Sequence, residues 1–131
     1  MASRTIDVCI PELQERFAAF AVKMAETGIP FMLTCTKRTQ EEQNDLYARG
    51  RTKPGAKVTW TRKSKHIEGR AFDIAILRDG QPVWDMKADV NHDAVPDYEQ
   101  AGVIGESVGL GWGGRFKNPD RPHFELSGKV G

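Results

Sequence analysis

Cysteine is scarce in this chain, and long apolar runs are missing. The two cysteines, Cys9 and Cys35, have neither the paired spacing of a zinc knuckle nor that of a C-x-x-C redox motif. They do not build a disulfide-stapled scaffold either, so two reduced, partly buried thiols are expected. No stretch reaches the length of a membrane-spanning helix. The short apolar run at residues 17–22 is preceded by Asp7, Glu12 and Glu15 rather than by the cationic start of an export signal. Neither membrane insertion nor a signal peptide is therefore expected. An excess of one charge is missing as well. The chain has 19 Lys and Arg against 18 Asp and Glu, a net charge of +1, whereas a dedicated nucleic-acid binder is usually basic. There is no internal repeat and no low-complexity tract.

What remains is the composition of a soluble globular domain, 39% hydrophobic and 28% charged. A length of 131 residues suits one domain, 1–131, with one core. The charge is unevenly placed: residues 49–70 carry eight Lys/Arg and one acid, and residues 79–106 carry seven acids and one Lys. Such neighbours either orient a charged substrate or form solvated loops.

Residues 11–26 read as a helix. Pro11 suits its first turn, Leu13, Phe17, Phe20, Ala21 and Met24 recur at helical spacing, and Gly28 and Pro30 end it. Residues 31–36 read as a strand. Thr39 and Glu42 form a capping-box pattern that opens a second helix, running to about Ala48. Residues 50–65 have no period and read as a long basic loop. Residues 71–77 are the strongest strand; Arg78-Asp79-Gly80 turns it, and residues 81–84 return as a hairpin partner. After an acidic connection, residues 98–108 read as a third helix weakened by Gly102 and Gly105. Residues 122–127 read as a last short strand. The expected fold class is α+β, a small antiparallel sheet with about three helices packed on it.

Three histidines are present: His66, His92 and His123. A catalytic zinc takes three protein ligands, commonly His nitrogen or carboxylate oxygen, and keeps one position for water. In the strand at 71–76, alternation sends Phe72, Ile74 and Ile76 to one face and Ala71, Asp73 and Ala75 to the other. An aspartate among small residues on an apolar strand needs either solvent or a partner, and a cation is one of the best. His123 and Glu125 share one face of the last strand, with Phe124 and Leu126 on the other. Two segments that each present polar donors from one face point to a metal more strongly than a lone histidine does. Thiolate ligation has no Cys–His cluster in the sequence to support it. Alternation alone offers Glu125 as the general base.

The string Ser64-x-His66-x-x-Gly69-x-Ala71-x-Asp73, followed by Pro122-His123, resembles the metallopeptidases that cut D-amino-acid-containing peptides of bacterial cell walls. That family includes D-alanyl-D-alanine carboxypeptidases and dipeptidases, and phage endolysins that act as L-alanyl-D-glutamate peptidases. The resemblance covers most of the chain. It implies that His66, Asp73 and His123 hold a zinc ion. It also implies that the catalytic carboxylate lies three residues before the second ligand histidine, at Asp120. Glu125 then becomes the group that orients His123. An Asp rather than a Glu at the base position leans towards the endolysin branch. Arg38, followed on the next helix by Gln43, is implied to polarise the scissile carbonyl and stabilise the oxyanion.

The resulting expectation is a monomeric zinc peptidase acting on bacterial peptidoglycan at the L-alanyl-D-glutamate bond. It would be held in the host bacterial cytoplasm until release to the wall and would carry no separate wall-binding domain. The alternatives are a D-alanyl-D-alanine carboxypeptidase and a metal-stabilised wall-binding module without catalysis.

Three further segments admit two readings each. Asp89, Asn91, Asp93 and Asp97 place oxygen donors at alternating positions, as a calcium loop does. Ala94 stands where such loops have Gly, and Gln100 where they have a bidentate Glu. An acidic turn with Asp97 capping the third helix is therefore expected over a regulatory calcium. The Gly-rich stretch 109–116 is either a cleft wall with Trp112 against substrate or a tight strand beside a core aromatic. It lacks the Lys-Ser/Thr ending of a phosphate loop. Trp60 lies among Lys57, Arg62, Lys63 and Lys65, a stacking residue among cations. The near-neutral total charge outweighs it, and no nucleic-acid partner is expected.

Overall fold

Three α-helices and five strands form among the residues described by this computed structural model, which are 3–52, 54 and 65–126. In chain order they are α1 (Pro11–Thr27), β1 (Phe31–Cys35), α2 (Gln40–Ala48), β2 (Ala71–Arg78), β3 (Gln81–Val83), α3 (Asp97–Ser107), β4 (Leu110–Trp112) and β5 (His123–Leu126). All strand pairs are antiparallel, in the order β1-β2-β5-β4, with β3 as the hairpin partner of β2. This is the α+β class expected. Residue 53 and residues 55–64 lie outside the described residues, and with them Lys57, Trp60, Arg62, Lys63 and Ser64.

Local signals account for most element boundaries. Gly28 closes α1 with a left-handed φ of 75°. The capping box of α2 is complete: the Thr39 N–H donates to Glu42 Oε1 at 2.9 Å, and the Glu42 N–H donates to Thr39 Oγ1 at 3.1 Å. Asp79 and Gly80 both take positive φ, 52° and 77°, as a two-residue hairpin turn requires.

The core lies between α1, α3 and one face of the sheet. Leu13, Phe20 and Met24 of α1 are fully buried with Phe72, Ile74 and Ile76 of β2. Phe72 and Phe124 stack at 5.3 Å between centroids, and Phe20 approaches Phe124 at 5.0 Å. The opposite face of β2 is covered too, since Ala71 and Ala75 are also fully buried. Asp73, between them, is only half-buried rather than solvent-facing.

Of the two readings of the Gly-rich stretch, the fold realises the second. Trp112 is a buried core aromatic on β4, and its indole N–H donates to the Arg121 carbonyl at 2.8 Å. Gly102 and Gly105 of α3, which weaken the helix locally, let it approach β4 and β5. A Cβ at Gly102 would collide with the Trp112 ring, and one at Gly105 with Phe124. Gly102→Ala therefore sets a helix-propensity gain of about 1 kcal/mol against an overpacking cost of about 1–3 kcal/mol. Because the ring is buried and anchored, the cost is expected to win, lowering the urea midpoint at unchanged m-value.

Asp97 does not cap α3. Pro96 takes the N-cap place and makes no side-chain cap bond. Asp97 is the first helical residue, its own N–H donates to the Ala88 carbonyl at 2.8 Å, and its carboxylate accepts the Val90 N–H at 2.7 Å. The side chain is thereby turned under the acidic connection instead of along the helix.

Candidate metal centre

Strand register assembles the site. Asp73 of β2 sits opposite Cys35 of β1 on one side and His123 of β5 on the other. Cross-strand neighbours project from the same face of a sheet, so these three side chains form one row. A register shift between Leu33 and Cys35 puts Cys35 rather than Thr34 into it. On the other face Phe72 pairs with Phe124, and that aromatic contact fixes the rows against sliding.

His66 reaches the row from the turn before β2. Its carbonyl accepts the N–H groups of Arg38 at 3.0 Å and Gly69 at 3.2 Å. Gly69 has a φ of +69°, and a Cβ there would press on the Cys9 backbone at 3.3 Å, so both conformation and space call for glycine.

Asp73 Oδ1 joins the two histidines, lying 3.1 Å from His66 Nε2 and 2.9 Å from His123 Nδ1. The outer nitrogen of each ring is already held. His66 Nδ1 lies 2.8 Å from the Thr36 carbonyl, which can only accept, so this nitrogen carries a proton. His123 Nε2 lies 2.8 Å from Glu125 Oε1. Burial alone would lower both histidines. The hydrogen bonds to Asp73, with Cys35 helping His66 and Glu125 helping His123, outweigh it and raise them to about 10 and about 9. Burial would likewise raise Asp73, but the two imidazoles hold it well below the usual carboxylate range.

The two rival carboxylates are separated by environment. Asp120 comes from the turn that leads into β5, where its N–H donates to the Gly113 carbonyl at 2.8 Å and its carbonyl accepts the His123 N–H at 3.1 Å. The residue is exposed as a whole, yet its carboxylate lies within 4.8 Å of donor atoms of Asp73 and His123. Desolvation there and the charge of Asp73 push it up, against the pull of His123, His66 and Arg38. Glu125 is occupied behind His123 and is joined by Lys65 Nζ at 3.7 Å. Burial would raise it, but His123 and Lys65 bring it down.

Arg38 flanks this cluster. Its guanidinium donates to Gln43 Oε1 at 2.6 Å and to Cys35 Sγ at 3.3 Å, with Gln43 fully buried. His92, on the acidic connection, is not part of the cluster.

Cys35 is the residue that sequence reasoning missed. Both cysteines are free and buried, as expected. Cys35 Sγ nevertheless lies 3.6 Å from His66 Nδ1, so a Cys–His contact exists that linear spacing does not reveal. Donor atoms of Cys35, His66 and Asp73 lie within 4.8 Å of one another, and so do those of Asp73, Asp120 and His123. The expected ligand trio is thus divided between two groups that share Asp73. Two imidazole nitrogens and a carboxylate oxygen, with the outer ring nitrogens already held, have the donor chemistry of a catalytic zinc site.

The family described as D-alanyl-D-alanine carboxypeptidase matches residues 57–126, a span running from before His66 to the end of β5. The peptidoglycan L-alanyl-D-glutamate endopeptidase CwlK of Bacillus subtilis is 36% identical over 120 residues, covering 88% of this chain and 72% of that protein. The crystal structure of the Serratia marcescens L-Ala D-Glu endopeptidase ChiX superposes with a TM-score of 0.70 at 21% identity, covering 97% of this chain and 89% of that one, a likeness of fold. The chain belongs to the D-alanyl-D-alanine carboxypeptidase family of peptidoglycan metallopeptidases.

Proposed function

We propose that this protein is a zinc peptidase that hydrolyses the L-alanyl-D-glutamate bond of peptidoglycan stem peptides. The observation that carries the chemistry is Asp73 Oδ1 shared by His66 Nε2 and His123 Nδ1, with the Asp120 carboxylate beside them. Similarity to CwlK supports the choice of bond.

His66, Asp73 and His123 would hold the ion. Zinc, when bound, lowers the pKa of a water ligand and polarises the scissile carbonyl. Thr36 and Glu125 fix the two imidazoles through their outer nitrogens, so the inner nitrogens stay aimed at the site. The Asp120 carboxylate takes the proton of the attacking water and passes it to the leaving amine. Its upward shift suits that shuttle better than the lowered, occupied Glu125 does. Gln43 and Cys35 hold the Arg38 guanidinium at the edge of the cluster, where it stabilises the developing oxyanion. An open groove of about 1010 Å³ runs from Arg38 along α2 and offers room for a stem peptide; its cations Arg4, Arg38 and Arg49 are matched by Glu41, Glu42 and Asp45, so it carries no net charge of its own.

We place the protein among the endolysins, as a monomeric single domain kept in the host bacterial cytoplasm until the membrane is breached. The matching family's description favours D-alanyl-D-alanine carboxypeptidase as the second reading. Purified cell walls distinguish them. Mass spectrometry is expected to find fragments with new N-terminal D-glutamate, abolished by a chelator and restored by zinc. Released D-alanine would transfer the chain to the second reading. Walls left intact by zinc-replete protein would sink both and leave a binding module.

A further inference from the structure

We propose that the connection between β3 and α3 is a calcium site, separate from the His66–Asp73–His123 cluster. The segment spaces oxygen donors as a twelve-residue calcium loop does: Asp89, Asn91 and Asp93, the Val95 carbonyl, Asp97 and Gln100. Spacing alone would make it only an acidic turn. What points to a ligand is a set of oxygens with nothing bound to them.

Asp97 is fully buried, and one of its carboxylate oxygens takes the Val90 N–H. The other, Oδ1, is buried with no hydrogen-bond partner. Asn91 Oδ1 and Gln100 Oε1 share that condition. Asn91 Nδ2 donates to the Thr27 carbonyl and to Asp93 Oδ2, both at 3.0 Å, which turns its Oδ1 away from both. Three bare acceptors therefore coincide with the third, ninth and twelfth places of the loop. Buried acceptors without donors are rare, and here burial first, then the like charge of Asp89 and Asp93, pushes Asp97 up against the Val90 hydrogen bond. A cation removes both penalties at once.

The backbone is already arranged for it. Ala94 occupies the usual glycine place yet takes a φ of 70°. Asp89 accepts the N–H groups of Asp93 at 3.1 Å and Ala94 at 2.9 Å, and Asp93 accepts that of Val95 at 3.0 Å. The carboxylates alone do not converge to within 4.8 Å of one another, so the seat depends on the amide and main-chain oxygens between them. A purely oxygen donor set of mixed type suits calcium rather than zinc, and its irregularity suits calcium rather than octahedral magnesium. Gln100 in place of a bidentate Glu sets the affinity in the weak range, Kd about 10⁻⁴–10⁻³ M.

The test uses the full-length, zinc-loaded protein with calcium chloride, and magnesium chloride at matched ionic strength. Calorimetry is expected to give one calcium per chain, and about 10 mM calcium to raise Tm by roughly 3–8 °C, with little response to magnesium. Asp97→Asn is expected to weaken calcium binding at least about tenfold. Gln100→Glu, which supplies the missing carboxylate, is expected to tighten it by about the same factor. A merely structural acidic turn gains nothing from Gln100→Glu. No binding heat and no Tm response in either wild type or Gln100→Glu, or an equal response to both salts, would overturn the proposal.

Discussion

Asp120→Asn protein is expected to carry zinc at the wild-type stoichiometry while hydrolysing stem peptides about 10²–10⁴-fold more slowly, the usual contribution of a positioned acid–base group. The two carboxylates near His123 make this a sharp expectation. Glu125 is engaged by His123 and Lys65, and its loss would disturb a ligand. Asp120 instead sits on a turn fixed by backbone bonds to Gly113 and His123, so the Asn variant keeps the shape and loses the carboxylate's charge and its capacity to take up a proton. His66→Ala should behave differently. It removes a proposed ligand and leaves Asp73 with one imidazole, so zinc itself should be lost. Metal analysis beside fragment-release rates separates the cases. Equal zinc loss in both variants would make Asp120 a ligand and return the base role to Glu125.

Zinc affinity is expected to rise about 10²–10⁴-fold between pH 6 and pH 8, with one to two protons released per ion bound. Protons and metal compete for the same nitrogens. Without a metal, His66 and His123 titrate at about 10 and about 9, because Asp73 holds their charged forms. Each ring must give up that proton to coordinate. Calorimetry in buffers of different ionisation enthalpy counts the protons, and competition with a chromophoric chelator gives the slope. A pH-independent affinity would show that the rings are already neutral.

The same shifts fix the sign of stability in protein stripped of metal. The raised histidines contribute fully below their ordinary value of 6.5, and that contribution is lost as pH rises through about 9 and then 10. Asp73 is depressed, so its contribution is present above 3.8 and lost as pH falls. The metal-free cluster therefore stabilises the fold most between about pH 4 and 6.5 and weakens on the alkaline side.

Where a feature depends on near neighbours in the chain, the residues announced it. Pro11 and Gly28 bound α1, Thr39 and Glu42 close the capping box, and Asp79-Gly80 makes the hairpin turn. Alternation in β2 and β5 put Asp73 and His123 on polar-bearing faces, and the string around His66 made the trio specific. One error and one open choice arose where a side chain had two available partners. Asp97 has the composition of a cap, but it follows Pro96 into the helix and turns its carboxylate to Val90. Trp112 suits a cleft wall or a core, and only the cleared faces of Gly102 and Gly114 decide for the core.

The sequence by itself therefore determined the α+β class and, apart from β4, the element order, because periodicity, caps and turns are local; the metal role of His66, Asp73 and His123 was implied by the family string. Only the tertiary structure decided how they meet. The His123–Asp73 bond spans 50 residues and the Cys35–His66 contact 31. The first depends on the register of β2 with β5 and the second on the bulge in β1, and no local pattern specifies either. Register is set by the packing of Phe72 against Phe124 on the far face of the sheet. The placement of Cys35 follows from the bulge in β1, and the meeting of Asp73 with His123 from that packing, rather than from their own neighbours in sequence.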